Sequence, residues 1–513
     1  MRCKSVGGAS LRNSLPLLAM ALPACLWAGT AAMAQPSPDD AAGWLAERNR
    51  ALSQFGAVLP PPTAEETGDD RGLALVADSA PQVAASDVRL ALTQMALAAG
   101  SAGQAEIAAA QPTRGPGAIY LRAGAATLTE LFEATRGTDL ESVLTRDGQR
   151  FVASRPIVVV QGATLQLEPG DVLTLEANDG AFLLSFGHVE MAGATVRADP
   201  APYWTEESFR PFVAILGTGT LDASWSVFAG LGSDVAPFAS GLSLGSGSLF
   251  AATRSSGVRD SRFIDTHGLS IIGSDGARVV GNRFDGAEGI AISVDDSDRV
   301  EIRDNVIVEP EGRFAIRVDG PATDVEATNN IMVGGHHDAL RVAAGASAVD
   351  LYGNVIADFA GSAIIADEGT RCLRLAGNLI RGNGGDGLGA GDIGDVIVTA
   401  NIIQDNGGAG ISLSRSRPEA ELIVAGNLFE RNRSGVRTAS IGSLTLTDND
   451  LARQLPRHLA GDLSQHTPLF LHEIRGGHRA ALLFDHVKAG VADPLTPDAV
   501  AAAFTECRAE AGS

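Results

Sequence analysis

The sequence predicts an all-β chain, a right-handed parallel β-helix solenoid with a partly helical N-terminal extension and a C-terminal cap. Three observations carry this. Asn282, Asn305, Asn330, Asn354, Asn378, Asn401, Asn427 and Asn449 recur at intervals of 23, 25, 24, 24, 23, 26 and 22 residues. Each follows a short alternating strand, and six of the eight precede an apolar pair such as Val306-Ile307 or Leu379-Ile380. Midway through the period lies a second strand, as in Ala315-Ile316-Arg317-Val318, Ala339-Leu340-Arg341-Val342 and Gly410-Ile411-Ser412-Leu413. Such a period with two or three short strands per turn fits one coil of a parallel β-helix. A leucine-rich repeat has a similar length but needs a recurrent Leu framework that this chain lacks.

Residues 1–34 read as a secretory signal peptide: Arg2, Lys4 and Arg12 precede the apolar run Leu15–Gly29, and Ala32-Met33-Ala34 offers an A-x-A cleavage site. Residues 35–117 read as an Ala- and Pro-rich linker with helical composition over Ala41–Gln54 and Asp87–Ala110, able to dock on the downstream repeats. Residues 118–451 form the solenoid. In its mid-period strands Ile290, Ile292, Ile316, Val318, Leu340 and Val342 are expected inside, with Ala291, Ser293, Arg317, Asp319, Arg341, Ser412 and Arg437 outside. Each ladder Asn is expected at a sharp turn, because Asn tolerates the left-handed region and its amide can bond the Asn one coil above. Residues 452–513, with five of the nine His, read as a cap. After export the remaining cysteines are Cys372 and Cys507. They form either a disulfide tying tail to repeats or one buried and one exposed thiol.

Composition narrows the function. The formal charge is −22, from 61 acidic and 39 basic residues, and every basic residue except Lys4 and Lys488 is Arg. An acidic chain is a poor partner for nucleic acid, which needs a basic surface, although a local Arg-lined groove remains open. No run of about 18 apolar residues follows the leader, so no membrane span is expected. No phosphate-binding or dinucleotide glycine fingerprint occurs. His336, His337 and Asp338 are adjacent rather than spaced to converge on a metal. Asp295, Asp296 and Asp298 carry no calcium-loop pattern. Neither a cofactor nor a metal is expected.

Gly180-Ala181-Phe182-Leu183, Phe209-Arg210-Pro211-Phe212, Ala223-Ser224 with Phe228, Leu231-Gly232 and Gly241-Leu242-Ser243 precede the Asn-ended coils. In pattern and spacing they resemble the periplasmic mannuronan C5-epimerase family of alginate biosynthesis, from about Gly162 to Leu451. The resemblance implies a right-handed β-helix in the periplasm acting on polymannuronate during its export. One departure stands out. The family's catalytic strand reads Gly-Ile-Asp-Pro-His-Asp, whereas the matching stretch here is Gly289-Ile290-Ala291-Ile292-Ser293-Val294, without the first Asp or the His. The family also carries an Arg just beyond its strand in the next coil; here Arg317 stands two residues early.

C5 epimerisation of a uronate removes a weakly acidic proton next to a carboxylate. It therefore needs that carboxylate neutralised, a base on one face of the sugar and an acid on the other. Arg suits the first task, since it pairs bidentately and stays charged. The candidates are His337, Asp295 and Arg317 for catalysis, with Asp338 beside His337 to orient it. Arg341, His267, Asp319 and Arg210 are the candidates for binding substrate. The same residues also fit an ordinary solvated face with local ion pairs. Three functions are compatible with this set: a C5-epimerase-like protein acting on a polyuronate, a non-catalytic relative that binds or guards the polymer in an export complex, or a polysaccharide lyase.

Overall fold

The computed structural model describes residues 41–55, 80–99, 103–112, 115, 117–199, 209–246, 252, 254–343, 345–367, 369–475, 481–485, 488–491 and 494–511. The expected leader lies outside them. The described residues wind into three sheets of 15, 15 and 14 strands. Sheet I begins with Gln82–Ser86 and Ala118–Ala123 and ends at Leu459–Gly461. Sheet II runs from Ala125–Thr127 to Lys488–Val491, and sheet III from Leu144–Asp147 to Asp450–Arg453. One coil visits them in the order II, III, I, as in Arg278–Val280, Arg283–Asp285 and Ile292–Asp295. Strands of successive coils pair in parallel. Among the described residues antiparallel pairs appear only toward the ends, including Gln82–Ser86 on Ala118–Ala123 and Ala481–Asp485 on Ser443–Thr447. This is the predicted right-handed β-helix.

The Asn ladder turns inward at the corner between sheets II and III. Asn282, Asn305, Asn330, Asn354, Asn378, Asn401 and Asn427 are buried. Asn330 donates its backbone N–H and Nδ2 to Asn354 Oδ1 (2.8 and 3.1 Å), and Asn354 does the same to Asn378. The left-handed residue is the one before each Asn, not the Asn itself: Asp304, Asn329, Ala400 and Asp448 have φ of 58°, 55°, 53° and 55°. This leaves the Asn side chain free to satisfy buried backbone groups across three coils. A second inner ladder, Asn383, Asn406, Asn432 and Gln454, runs along the corner between sheets III and I. Phe228, Phe263 and Phe284 stack inside, with ring centroids 4.9 and 4.4 Å apart.

Among the described residues six α-helices decorate the solenoid. α1 (Ala41–Phe55) lies on sheet III, where Trp44 is buried among Ile331, Val333, Val355, Ala357, Leu379 and Ile402. α2 (Val88–Ala99) and α3 (Gln104–Ala109) cover the first strands of sheet I through Leu92, Met95 and Ile107. α4 (Leu128–Thr135) starts in a capping box between Thr127 and Glu130 and buries Leu128 and Leu131 in the solenoid core. α5 (Thr467–Arg475) and α6 (Pro497–Ala511) come after the coils. α6 packs Val500 and Phe504 against Ile397 and Ile423 of sheet II. Of the two readings left open for the cysteines the disulfide is present: Cys507 of α6 is bonded to Cys372.

One expectation for the mid-period strand is corrected. Ala291 faces the core with no exposed surface, and Ile290 is half-buried. The strand proper starts at Ile292, so the alternation begins there and the preceding Ala is tucked into the corner. Ala315, Ala339 and Ala363 stack above it in the same buried place.

Candidate functional site

Parallel register lines one outward column of sheet I along the solenoid axis. From the first coils it reads Tyr120, Val158, Leu184, Ala214, Ser243, Ser270, Ser293, Arg317, Arg341, Ile365, Gly389, Ser412 and Arg437. The first four are apolar or aromatic and lie beneath α2 and α3. The Phe209-Arg210-Pro211-Phe212 block belongs to this seal: Phe212 stacks on Phe182 at 4.9 Å and meets Phe209 edge-on. From Ser243 to Arg341 the column is polar, and from Arg317 it is partly open to solvent.

Arg317 and Arg341 are register partners on neighbouring coils, about 4.8 Å apart along the axis. Arg317 Nη2 donates to Ser293 Oγ at 3.1 Å, and its Nε stands 3.6 Å from Asp319 Oδ2. That Nε is buried and has no hydrogen-bond acceptor. Arg341 approaches Asp367 at 3.3 Å, with its guanidinium 5.9 Å from the Phe314 ring centre. Asp295 and Asp319 are also register partners, one step further along their strands. Asp295 is half-buried, and burial pushes its carboxyl above the usual carboxylate range. Arg317 opposes that rise, while Asp319 and Asp296 add to it. Asp295, Arg317, Asp319 and Arg341 thus come together on one surface.

A second grouping forms at the corner between sheets III and I. Arg210 makes an ion pair with Glu288, and both line a cleft of about 390 Å³ with Arg197 and Asp265. His267 joins them. Burial lowers its imidazole pKa, Asp234 and Glu288 act to raise it, and Arg210 lowers it further. His267 and Asp295 occupy opposite edges of sheet I: Ile272 is the register partner of Asp295, five residues past His267. That is about 16 Å of extended strand.

His337 lies apart. It is exposed in the corner leading to the strand Leu340–Val342, on the same edge as His267 but three coils further on, roughly 14 Å along the axis. Asp338 does not serve it as an orienting partner. Its Oδ1 accepts the backbone N–H of Ser362 at 2.7 Å, a contact that holds one coil to the next. At the places where the resembling family carries its Asp and His stand the buried Ala291 and the outward Ser293, whose Oγ accepts from Arg317. Sequence reasoning missed Ser243, Glu288 and Asp234. The serines share one register column, a signal visible once the coils are aligned; Glu288 and Asp234 meet only in three dimensions. No group of three or more His, Cys, Asp or Glu able to hold a metal occurs among the described residues. None of their helices is long and apolar enough to cross a membrane.

Comparison with known proteins agrees with this geometry. The family described as right-handed β-helix region matches residues 267–451. A mannuronan C5-epimerase from Pseudomonas aeruginosa is 29% identical over 232 residues, which is 42% of this chain and 42% of that protein, so the match spans about two-fifths of the relative's length. The crystal structure of the periplasmic alginate epimerase AlgG superposes with a TM-score of 0.60 at 16% identity, covering 76% of this chain and 94% of that one. A double-mutant form of AlgG gives the same TM-score and identity over 76% and 95% of the two chains. By fold, and by sequence over part of its length, the chain is a right-handed parallel β-helix protein related to the mannuronan C5-epimerases.

Proposed function

We propose that this chain is an exported, periplasmic, C5-epimerase-like protein that binds a polyuronate such as polymannuronate along the open face of sheet I. The observation that carries the reading is the pair of register-matched guanidinium groups, Arg317 and Arg341, with a buried Arg317 Nε that lacks an acceptor. A uronate carboxylate supplies that acceptor. Neighbouring coils lie about 4.8 Å apart, so the two guanidinium groups are placed to take neighbouring carboxylates of one bound polyuronate.

In this reading Arg317 neutralises the carboxylate of the reacting sugar and so acidifies its C5 proton. Asp295, whose carboxyl is raised by burial while Arg317 opposes the rise, is the proton-exchanging group on one edge. His337, exposed on the other edge, is the candidate partner in that proton exchange. Arg341 and Asp319 fix the neighbouring sugar, while Arg210 and His267 meet the chain further down the axis. Polymer passing through an export complex is the substrate in this scheme.

The test is incubation of the mature protein with polymannuronate in deuterated water, followed by proton NMR. Deuterium at C5 together with guluronate signals is the expected result. Unsaturated ends absorbing in the ultraviolet would instead identify a lyase. A second reading, binding or guarding without catalysis, is favoured by Ala291 and Ser293 at the places of the family's Asp and His. It is chosen if the polymer binds, Arg317→Ala with Arg341→Ala abolishes that binding, and no exchange occurs.

A further inference from the structure

Trp225 departs from every other residue at its place in the coil. It occupies the left-handed corner between sheets II and III, with φ of 54°. Neighbouring coils put Gly193, Asp260, Gly281, Asp304 and Asn329 there, residues that are small or tolerate this region. A large aromatic side chain gains nothing from the position, and its ring is not packed: Trp225 is 70% exposed. The coil below presents Gly193, which has no side chain to cover that side of the ring. A strained, exposed aromatic that serves no packing role points to a ligand.

The surroundings define the ligand's charge. Trp225 N–H donates to Arg259 O on the next coil, so Arg259 enters the same corner. Its side chain is exposed and has no ion-pair partner among the described residues. Arg262, just past the corner, is exposed and pairs with Asp285 at 2.8 Å. Asp260, the acid between them, turns its carboxylate toward Gly281, on the coil away from Trp225. The next coil thus carries two arginines next to this corner, Arg259 in register with Ser224 and Arg262 in register with Val227, on a chain of net charge −22; the Arg262 guanidinium is turned to Asp285, one coil further on. Among the described residues, none of the other exposed large hydrophobics, Leu90, Leu97, Leu455, Leu483 and Val491, belongs to the adjoining coils. A protein interface would surround such an anchor with further apolar contacts. An exposed indole face with the exposed Arg259 on the next coil instead matches a pyranose ring that stacks its C–H face while its carboxylate pairs with Arg.

We infer that Trp225, Arg259 and Arg262 form a second binding site for acidic polysaccharide, at the corner between sheets II and III and separate from the open face of sheet I. It takes one or two uronate residues and tethers the polymer, raising its local concentration at sheet I. The choice of a uronate rests on the polyuronate reading of sheet I.

Affinity electrophoresis of the mature protein through gels containing polymannuronate tests the site, with a neutral glucan as control. Trp225→Gly, which suits the left-handed corner, and Arg259→Ala are each expected to weaken retention about tenfold, with unchanged melting temperature and unchanged binding of short mannuronate oligomers at sheet I. In the Arg317→Ala/Arg341→Ala background, Trp225→Gly is expected to remove the retention that remains. That result stands even if no C5 exchange is ever seen, so failure of the epimerase reading does not conceal it. Unchanged retention of both variants on polymannuronate overturns the inference, whether or not C5 exchange is observed, and leaves Trp225 as a contact for a protein partner. Equal retention on the neutral glucan overturns it as well, since the guanidinium groups would then play no part.

Discussion

The first four coils of sheet I and the later coils share one backbone, one register and one alternation, yet they do opposite things. In the early coils the outward column is Tyr120, Val158, Leu184 and Ala214, an apolar strip that α2 and α3 cover. From the next coil it turns to Ser243, Ser270 and Ser293 and then to Arg317 and Arg341, with no helix over the two arginines among the described residues. In a solenoid the inward residues build the fold, and the outward ones decide whether a face is sealed or offered to a ligand. Removing a side chain should therefore cost stability in one region and function in the other.

Arg317→Ala gives the largest effect. It removes the neutralising group from the open region, and C5 exchange should fall by about 10²–10³-fold. The melting temperature should hardly move, because the ion pair it breaks is partly exposed. A large drop in melting temperature would mean that Arg317 is a framework residue and the contrast is false. Asn354→Ala attacks the frame beneath the open region. Asn330 N–H and Nδ2 would lose their shared acceptor, and the Ala327 and Asn378 contacts would go with it. A loss of roughly 3–5 kcal/mol in urea unfolding is expected. Met95→Ala loosens the seal. Met95 is fully buried between α2 and sheet I, so about 2–5 kcal/mol should be lost, while exchange per folded molecule stays unchanged. Coupled loss of both would show that the two regions are not separable.

The smallest effect on stability belongs to Asp295→Asn and is best read against pH. The carboxyl is raised in the folded state relative to the unfolded chain, so its ionised form costs stability above the folded pKa and the cost vanishes as pH falls through that value. The Asn variant should therefore melt slightly higher than the parent at neutral pH, with the gap closing on acidification. A gap that widens toward low pH would mean that Asp295 is instead held by Arg317 as a stabilising carboxylate.

Much of the fold could be read from the eight periodic Asn residues, because a buried amide ladder leaves a strict period in sequence. The second ladder was also written there, as Asn383, Asn406 and Asn432 five residues after Asn378, Asn401 and Asn427, but it spans few coils. The register of Arg317 on Arg341 was legible from equal spacing. Hidden from sequence was anything that depends on a partner from another part of the chain. Glu288 beside Arg210, the Arg317 Nε without an acceptor and the docking of α1 are of this kind. The inward turn of Ala291 was misread because strand alternation was extended one residue into a corner, where the pleat no longer holds. Trp225 passed unnoticed for a related reason: its oddity lies in occupying a corner that other coils give to Gly, Asp or Asn.

The seat of α1 sets an order of events during biogenesis. Arg48 bonds to Asn329 across 281 residues, and Glu47 pairs with Arg381 across 334. The ribosome makes α1 first, yet its landing place among Ile331, Val355, Leu379 and Ile402 does not exist until most of the solenoid has wound. α6 has the opposite timing, since the strand carrying Cys372 is already laid down when Cys507 arrives. Coils in the middle of the molecule are therefore clasped last, by the oldest segment on one side and the youngest on the other. The long wait costs little at equilibrium, because loop-closure entropy grows only with the logarithm of length. During maturation, however, a bare apolar strip on sheet III remains exposed until α1 returns.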